Sequence, residues 1–344
     1  MHTLILNAAP SGERCRAALP RLHLPHLQQL LGLLSPTAVV RGAATDLTPV
    51  HEHVLAASVG IDSPDGLIPW AAHDAAQLGL PRPGGNPEAP NAPHAHQAEP
   101  QTPGAWAWIT PCHWTVHTDH VHMDDPHTLA LTARDAEVLF RDMQPYFLED
   151  GITLYASHVG LSHSHWLAHG AVFANLPTAS LSRVAGQVVD PWMPRQPQAQ
   201  SLRRLQNEMQ MLLYTHPVND ARANFRLPSV NAFWVSGTGA LPVPPNRNVS
   251  AGAPAAPAQE CHVRNALQWP ALHDDASAWV QAWEALDAST LAHELQRLQQ
   301  GQPVHITLCG SDSAQTFAPQ ALSPWARLLR RLRPLQAVDV LNAL

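Results

Sequence analysis

The densest chemistry in the sequence is a run of imidazoles and carboxylates, His113, His117, Asp119, His120 and His122, followed by Asp124 and Asp125. Side chains alternate along an extended strand, so a strand running through His113 sets His113 and His117 on one face. Imidazoles beside a carboxylate suit Zn, Ni or Cu, which makes this stretch the candidate for weak binding of a divalent metal, Zn or Mn. Composition is the competing origin: a chain with 22 histidines in 344 residues also produces such runs in solvent-facing turns. A second cluster runs from Ser157-His158 through Ser162-His163-Ser164-His165 to His169. A nucleophile and its base must meet in space, with a third group orienting the base, and adjacency in sequence does not supply that. Ser236-Gly237-Thr238-Gly239 has enough glycine to approach a phosphate, and equally the composition of a tight turn. The sequence contains no P-loop, G-x-G-x-x-G turn, H-E-x-x-H helix or G-x-S-x-G elbow.

All 20 basic residues are arginine, against 27 acidic ones, and the net charge of −7 argues against a general nucleic-acid binder. No stretch offers about 20 apolar residues for a membrane span. The start of the chain lacks the basic flank of a signal peptide. Cys15, Cys112, Cys261 and Cys309 are far apart and form no C-x-x-C pair, which favours reduced thiols and a cytoplasmic location.

Two proline-rich stretches, 81–103 and 241–259, carry too few apolar residues to bury a face and read as linkers. They leave an N-terminal part (1–80), a central block (104–240) and a C-terminal part (260–344). Leu4-Ile5-Leu6 reads as a buried strand, and Pro25 opens a helix with a Leu27, Leu30, Leu31, Leu34 stripe. Thr48-Pro49 starts another helix with Val50, Val54 and Leu55 inward. In the central block, strands are expected over Ala105–Val116, Gly151–Ala156 and Val230–Val235, the last running into the Ser236–Gly239 turn. Thr132 caps a helix with Ala136, Leu139, Phe140, Met143 and Phe147 on one face, stopped at Asp150-Gly151. A further helix over Gln198–Thr215 carries Leu202, Leu205, Met209, Leu212 and His216, and Pro217 ends it. The C-terminal part is helical from Asp274 to Gln300, then a strand to Cys309, then a helix from Ser323-Pro324. This mixture of strands and helices predicts an α/β or α+β protein.

The stretch from Asn207 to Gly239 resembles the archaeal-type cofactor-independent phosphoglycerate mutases, through His216, Pro217, Val218, Asn219, Arg222, Asn231, Trp234, Gly237 and Gly239. It is closer still to the RpfE-type bacterial regulatory proteins related to those mutases. The likeness covers about residues 104–240, with the flanks following in the order of their elements. It implies a reduced alkaline-phosphatase-like core, α/β with a mixed sheet, carrying an inserted α+β domain. It further implies a ligand site near Asn219, Arg222, Asn231 and Trp234, with Asn219 and Asn231 equally suited to cap turns or satisfy backbone groups instead.

The mutases use a serine or threonine nucleophile held by two divalent metals, and here the matching positions are depleted. Asn7 follows the first strand where an aspartate is expected, and only Ser11 and Asp312 remain as further remnants. The D-x-x-G-H motif is absent, the late triplet reads Ser311-Asp312-Ser313, and Asp190-Pro191-Trp192-Met193 lacks the substrate-side histidine. One carboxylate and a neutral amide do not hold two divalent ions. The resemblance therefore implies a non-catalytic protein with a regulatory or ligand-binding role, needing no cofactor and binding a small anionic ligand or a protein partner. The alternative is an active mutase or metal-dependent phosphohydrolase drawing its ligands from His113–Asp125.

Overall fold

The structure, a computed structural model, describes residues 2–80, 104–156, 165–241, 261–320 and 335–344. Contacts divide the chain into two compact units, one built from Met1–Asp62 with Ala253–Leu344 and the other from Ser63–Gly252. Both proline-rich stretches, except Leu241, and the helix expected from Ser323 lie outside the described residues.

The first unit begins with β1 (His2–Ala9), where the Leu4-Ile5-Leu6 run is buried as its composition predicts. Then come α1 (Glu13–Ala18), α2 (Pro25–Leu33), the exposed strand β2 (Ser35–Arg41) and α3 (Val50–Ser58). Pro25 stands in the first turn of α2, where a missing N–H costs nothing, and Leu27, Leu30 and Leu31 turn inward.

The chain then enters the second unit through α4 (Trp70–Gln77), a helix missing from the sequence reading. Its small residues Ala71, Ala72 and Ala75 pack against Trp106 and Leu167. Residues 63–80 therefore belong with the second unit rather than with the N-terminal part. There follow β3 (Trp106–Cys112), the hairpin of β4 (Trp114–Val116) and β5 (Val121–Met123), α5 (Ala133–Glu149), β6 (Thr153–Tyr155) and β7 (Trp166–His169). The unit closes with α6 (Leu181–Val184), α7 (Gln200–Tyr214), α8 (Pro217–Asn224) and β8 (Ala232–Gly239). A four-stranded antiparallel sheet, β6-β7-β3-β8, buries one face under α5 and α7. Thr132 caps α5 by accepting from the Asp135 N–H, and Ala136, Leu139, Met143 and Phe147 line its buried side as the spacing requires.

Three local expectations are corrected here. Ser236–Gly239 is the end of strand β8 and not a turn: the register with β3 slips between Trp106 and Trp108, and Gly237 absorbs the slip at φ 63°. Pro217 begins a helix, α8, instead of merely ending one. His216 lies off the α7 face and caps α8, its Nδ1 accepting from the Val218 N–H.

The chain returns to the first unit with β9 (Cys261–Arg264), α9 (Gln268–Leu272), α10 (Ala276–Leu286), α11 (Ala292–Gln299), β10 (His305–Gly310), β11 (Ser313–Ala318) and α12 (Ala337–Asn342). Its five-stranded sheet runs β2-β11-β10-β1-β9. β1 is parallel to β9 and β10, while β11 is antiparallel to β10 and β2, so the sheet is mixed. Trp279, Trp283, Leu291 and Leu295 pack on one face with Ile5, Ile306, Leu308 and the α2 leucines, and Val50 and Val54 cover the other. The architecture is thus α/β with a mixed core sheet, interrupted in sequence by an α+β unit. Among the described residues no helix is long and apolar enough to cross a membrane.

Candidate functional site

Parallel pairing of β1 with β10 sets Ala9 opposite Gly310, so Ser11 and Asp312 each follow the same end of the sheet by two residues. Both are exposed. Asn7 lies earlier, at the irregularity between Ile5 and Ala9, with φ 54°, a left-handed conformation that asparagine tolerates better than most residues. Trp279 Nε1 donates to the Asn7 carbonyl at 3.2 Å and Trp283 Nε1 to the Ala8 carbonyl at 3.3 Å, fixing this bend from below.

The turn that follows is already filled. Asp274 reaches in and accepts from the Arg14 N–H at 3.0 Å and the Cys15 N–H at 2.9 Å. A Cβ at Gly12 would stand 2.3 Å from Asp274 Oδ1, so glycine makes the room for this carboxylate. The backbone donor bonds, first that of Cys15, hold the Asp274 carboxyl below its ordinary range. The amides that could greet a phosphate at the end of β1 therefore serve an internal anion. A neutral amide, a hydroxyl and one carboxylate at Asn7, Ser11 and Asp312 do not fit a pair of divalent ions.

The four expected ligand residues are internal clamps. Asn219 Nδ2 donates to the Leu213 and Val230 carbonyls, each at 2.8 Å, and its Oδ1 accepts from the Val230 N–H at 2.8 Å. Asn231 makes the same two-way pairing with Trp114, Oδ1 accepting from its N–H at 2.7 Å and Nδ2 donating to its carbonyl at 2.8 Å. Trp234 Nε1 donates to the Ala179 carbonyl at 2.9 Å. Arg222, 2% exposed, donates from Nε to the Pro228 carbonyl at 2.8 Å, from one terminal nitrogen to the Leu129 carbonyl, and from the other toward Asp135 at 3.4 Å. The polar atoms that would meet a ligand satisfy the chain's own backbone.

The histidine run is split. β3 ends at Cys112, so no strand carries His113 and His117 on one face. His113 Nδ1 bonds the Ser229 carbonyl at 2.7 Å, away from the β4–β5 turn. At that turn His117 and His120 stack with ring centres 4.5 Å apart, His120 pairs with Asp119 at 2.7 Å, and His122 lies 3.5 Å from Asp124. Among the described residues no group of three or more His, Cys, Asp or Glu side chains is arranged to hold a metal ion. In the serine-histidine cluster, Ser157, His158, Ser162, His163 and Ser164 lie outside the described residues.

Two arrangements escaped the sequence reading. In the second unit, Trp108 Nε1 donates to Asp74 at 3.1 Å and the His165 ring lies 5.6 Å from the Trp108 ring. Burial raises the Asp74 carboxyl, outweighing the Trp108 bond, and burial lowers His165. The contact depends on α4, whose alanine-rich face gives little periodic signal. In the first unit, a cavity of about 600 Å³ opens between the β2–β11 edge and α12, with Arg41, Asp312, Ser313 and Gln315 among its lining. No local pattern announces this cavity, because Arg41 is set opposite Ser313, on a strand more than 250 residues later in the sequence.

No family model matches the chain, and no curated protein matches it. Among solved structures, the cofactor-independent phosphoglycerate mutase from Thermoplasma acidophilum DSM 1728 aligns over 100% of this chain and 98% of its own, at 13% identity and a TM-score of 0.36. The PH0037 protein from Pyrococcus horikoshii aligns over 93% of this chain and 87% of its own, at 12% identity and a TM-score of 0.42. At these scores the likeness is loose, and what the site can do rests on its own residues.

Proposed function

We propose that the chain is a non-catalytic member of the phosphoglycerate-mutase-like group, of the RpfE-type regulatory kind, that binds a ligand and needs no cofactor. The observation that carries this reading is Asp274. Its carboxylate occupies the amides after β1 beside Ser11, while Asn7 and Asp312 offer one negative charge where two divalent ions need several ligands. The resemblance of the Asn207–Gly239 segment supports the family part of the reading, and the clamp roles of Asn219, Arg222, Asn231 and Trp234 explain how that segment persists without a substrate.

The test is conversion of 3-phosphoglycerate by untagged, metal-stripped protein, with and without added Mn²⁺ or Zn²⁺. The expected result is turnover no higher than a mock preparation under every condition. Metal-dependent turnover that disappears in Asp312→Ala would overturn the reading.

A further inference from the structure

We propose that the cavity between the β2–β11 edge and α12 binds a free α-amino acid with an apolar side chain. This deepens the ligand-binding reading above and rests on it. At about 600 Å³ the cavity is of the size that takes a small organic molecule. Its polar groups gather at one end. The Gly42 N–H donates to the Asp312 carbonyl at 2.8 Å and Arg41 pairs with Ser313 in register, so Arg41 at the end of β2 and Asp312 in the β10–β11 connection line the same mouth.

Arg41 and Asp312 form no ion pair with each other, and neither side chain has a partner among the described residues. A cation and an anion that line one cavity without pairing suit a ligand that carries both charges. A carboxylate would accept two parallel bonds from the Arg41 guanidinium, and an ammonium would donate to Asp312. Gln315 adds to the second role: its Nε2 is committed to the Ala38 carbonyl at 3.1 Å and the Thr316 carbonyl at 3.0 Å, which leaves Oε1 as an acceptor. Val39, Phe317, Leu335 and Val340 supply the apolar remainder of the wall, and Val39 is 53% exposed.

The same charge pattern disfavours a phosphorylated acid. A phosphomonoester brings a charge of about −1.5 to −2 at neutral pH. Among the described lining residues it would meet the one cation Arg41 and be repelled by Asp312.

The experiment is calorimetric titration of the full chain at pH 7.5 with L-leucine and L-phenylalanine. Isovalerate, which lacks the amine, isoamylamine, which lacks the carboxylate, and 3-phosphoglycerate serve as comparators. The expected result is one-to-one binding of an amino acid at least tenfold tighter than any comparator. Arg41→Gln and Asp312→Asn should each weaken it at least tenfold, with melting temperatures unchanged because both residues are exposed. Heats from neither amino acid, or tighter binding of 3-phosphoglycerate, would overturn the proposal. Either result leaves the non-catalytic reading standing, since that reading falls only to metal-dependent turnover.

Discussion

Replacing Arg222 by methionine separates a structural clamp from a ligand residue. Methionine keeps most of the buried stem, so the change removes chiefly the guanidinium bonds to the Pro228 and Leu129 carbonyls and the contact with Asp135. Each buried carbonyl left without a donor costs about 1–3 kcal/mol. Asp135 is partly exposed and adds little, about 0–1 kcal/mol. The expected loss is about 3–5 kcal/mol, confined to the second unit, as for a broken buried pair. Cys112 reports on that unit directly, because it is fully buried and the other three cysteines, Cys15, Cys261 and Cys309, belong to the first unit. If labelling follows opening, such a loss raises the rate of Cys112 alkylation under native conditions by roughly 150- to 5000-fold. Arg222→Lys should recover less than half of the loss, since one ammonium does not reproduce the planar fork. Labelling within tenfold of the parent protein would refute the clamp argument and return Arg222 to the list of ligand candidates.

Two other outcomes follow from the geometry. Gly237→Ala forces a Cβ to 2.9 Å from the Trp108 ring at a φ of 63°, and should destabilise the second unit by about 1–3 kcal/mol in urea titrations followed by Cys112 labelling; an unchanged midpoint would show that the β3–β8 slip relaxes freely. His2 and His305 in the first unit, and His165 and His169 in the second, are held by burial below the ordinary histidine value of 6.5. The unfolded chain therefore takes up protons before the native one does, and stability should fall as pH drops through 6.5 toward the lower folded values. Asp74, raised in the folded state, works in the opposite sense from its ordinary 3.8 upward, so the comparison of pH 7.5 with pH 5.5 belongs in Asp74→Asn. A higher urea midpoint at pH 5.5 would contradict the histidine argument.

What the sequence made legible was whatever local spacing controls. The leucines of α2 and the Thr132 cap and buried stripe of α5 follow directly from period and capping. The edge strand β2 and the short α4 did not stand out, because one is mostly exposed and the other is alanine-rich, so neither shows a strong apolar pattern. Ser236–Gly239 misled because glycine serves equally in a turn and in a strand that must bulge past an indole. The family-like residues around Arg222 were found by pattern, but whether their polar atoms face outward or bind nearby carbonyls depends on the loops that fold over them, Pro228 and Leu129 among them. The Asp274 carboxylate was unreadable for a related reason: its contact with Arg14 and Cys15 spans about 260 residues of sequence.

The central claim is that the end of β1 no longer forms a metal-and-phosphate centre. Crystals soaked with Mn²⁺ and inorganic phosphate, with anomalous data collected for manganese, address it most directly. The account predicts no anomalous peak between Asn7, Ser11 and Asp312, and Asp274 still seated on the Arg14 and Cys15 amides. A pair of manganese peaks there, with Asp274 displaced and phosphate in its place, would contradict it.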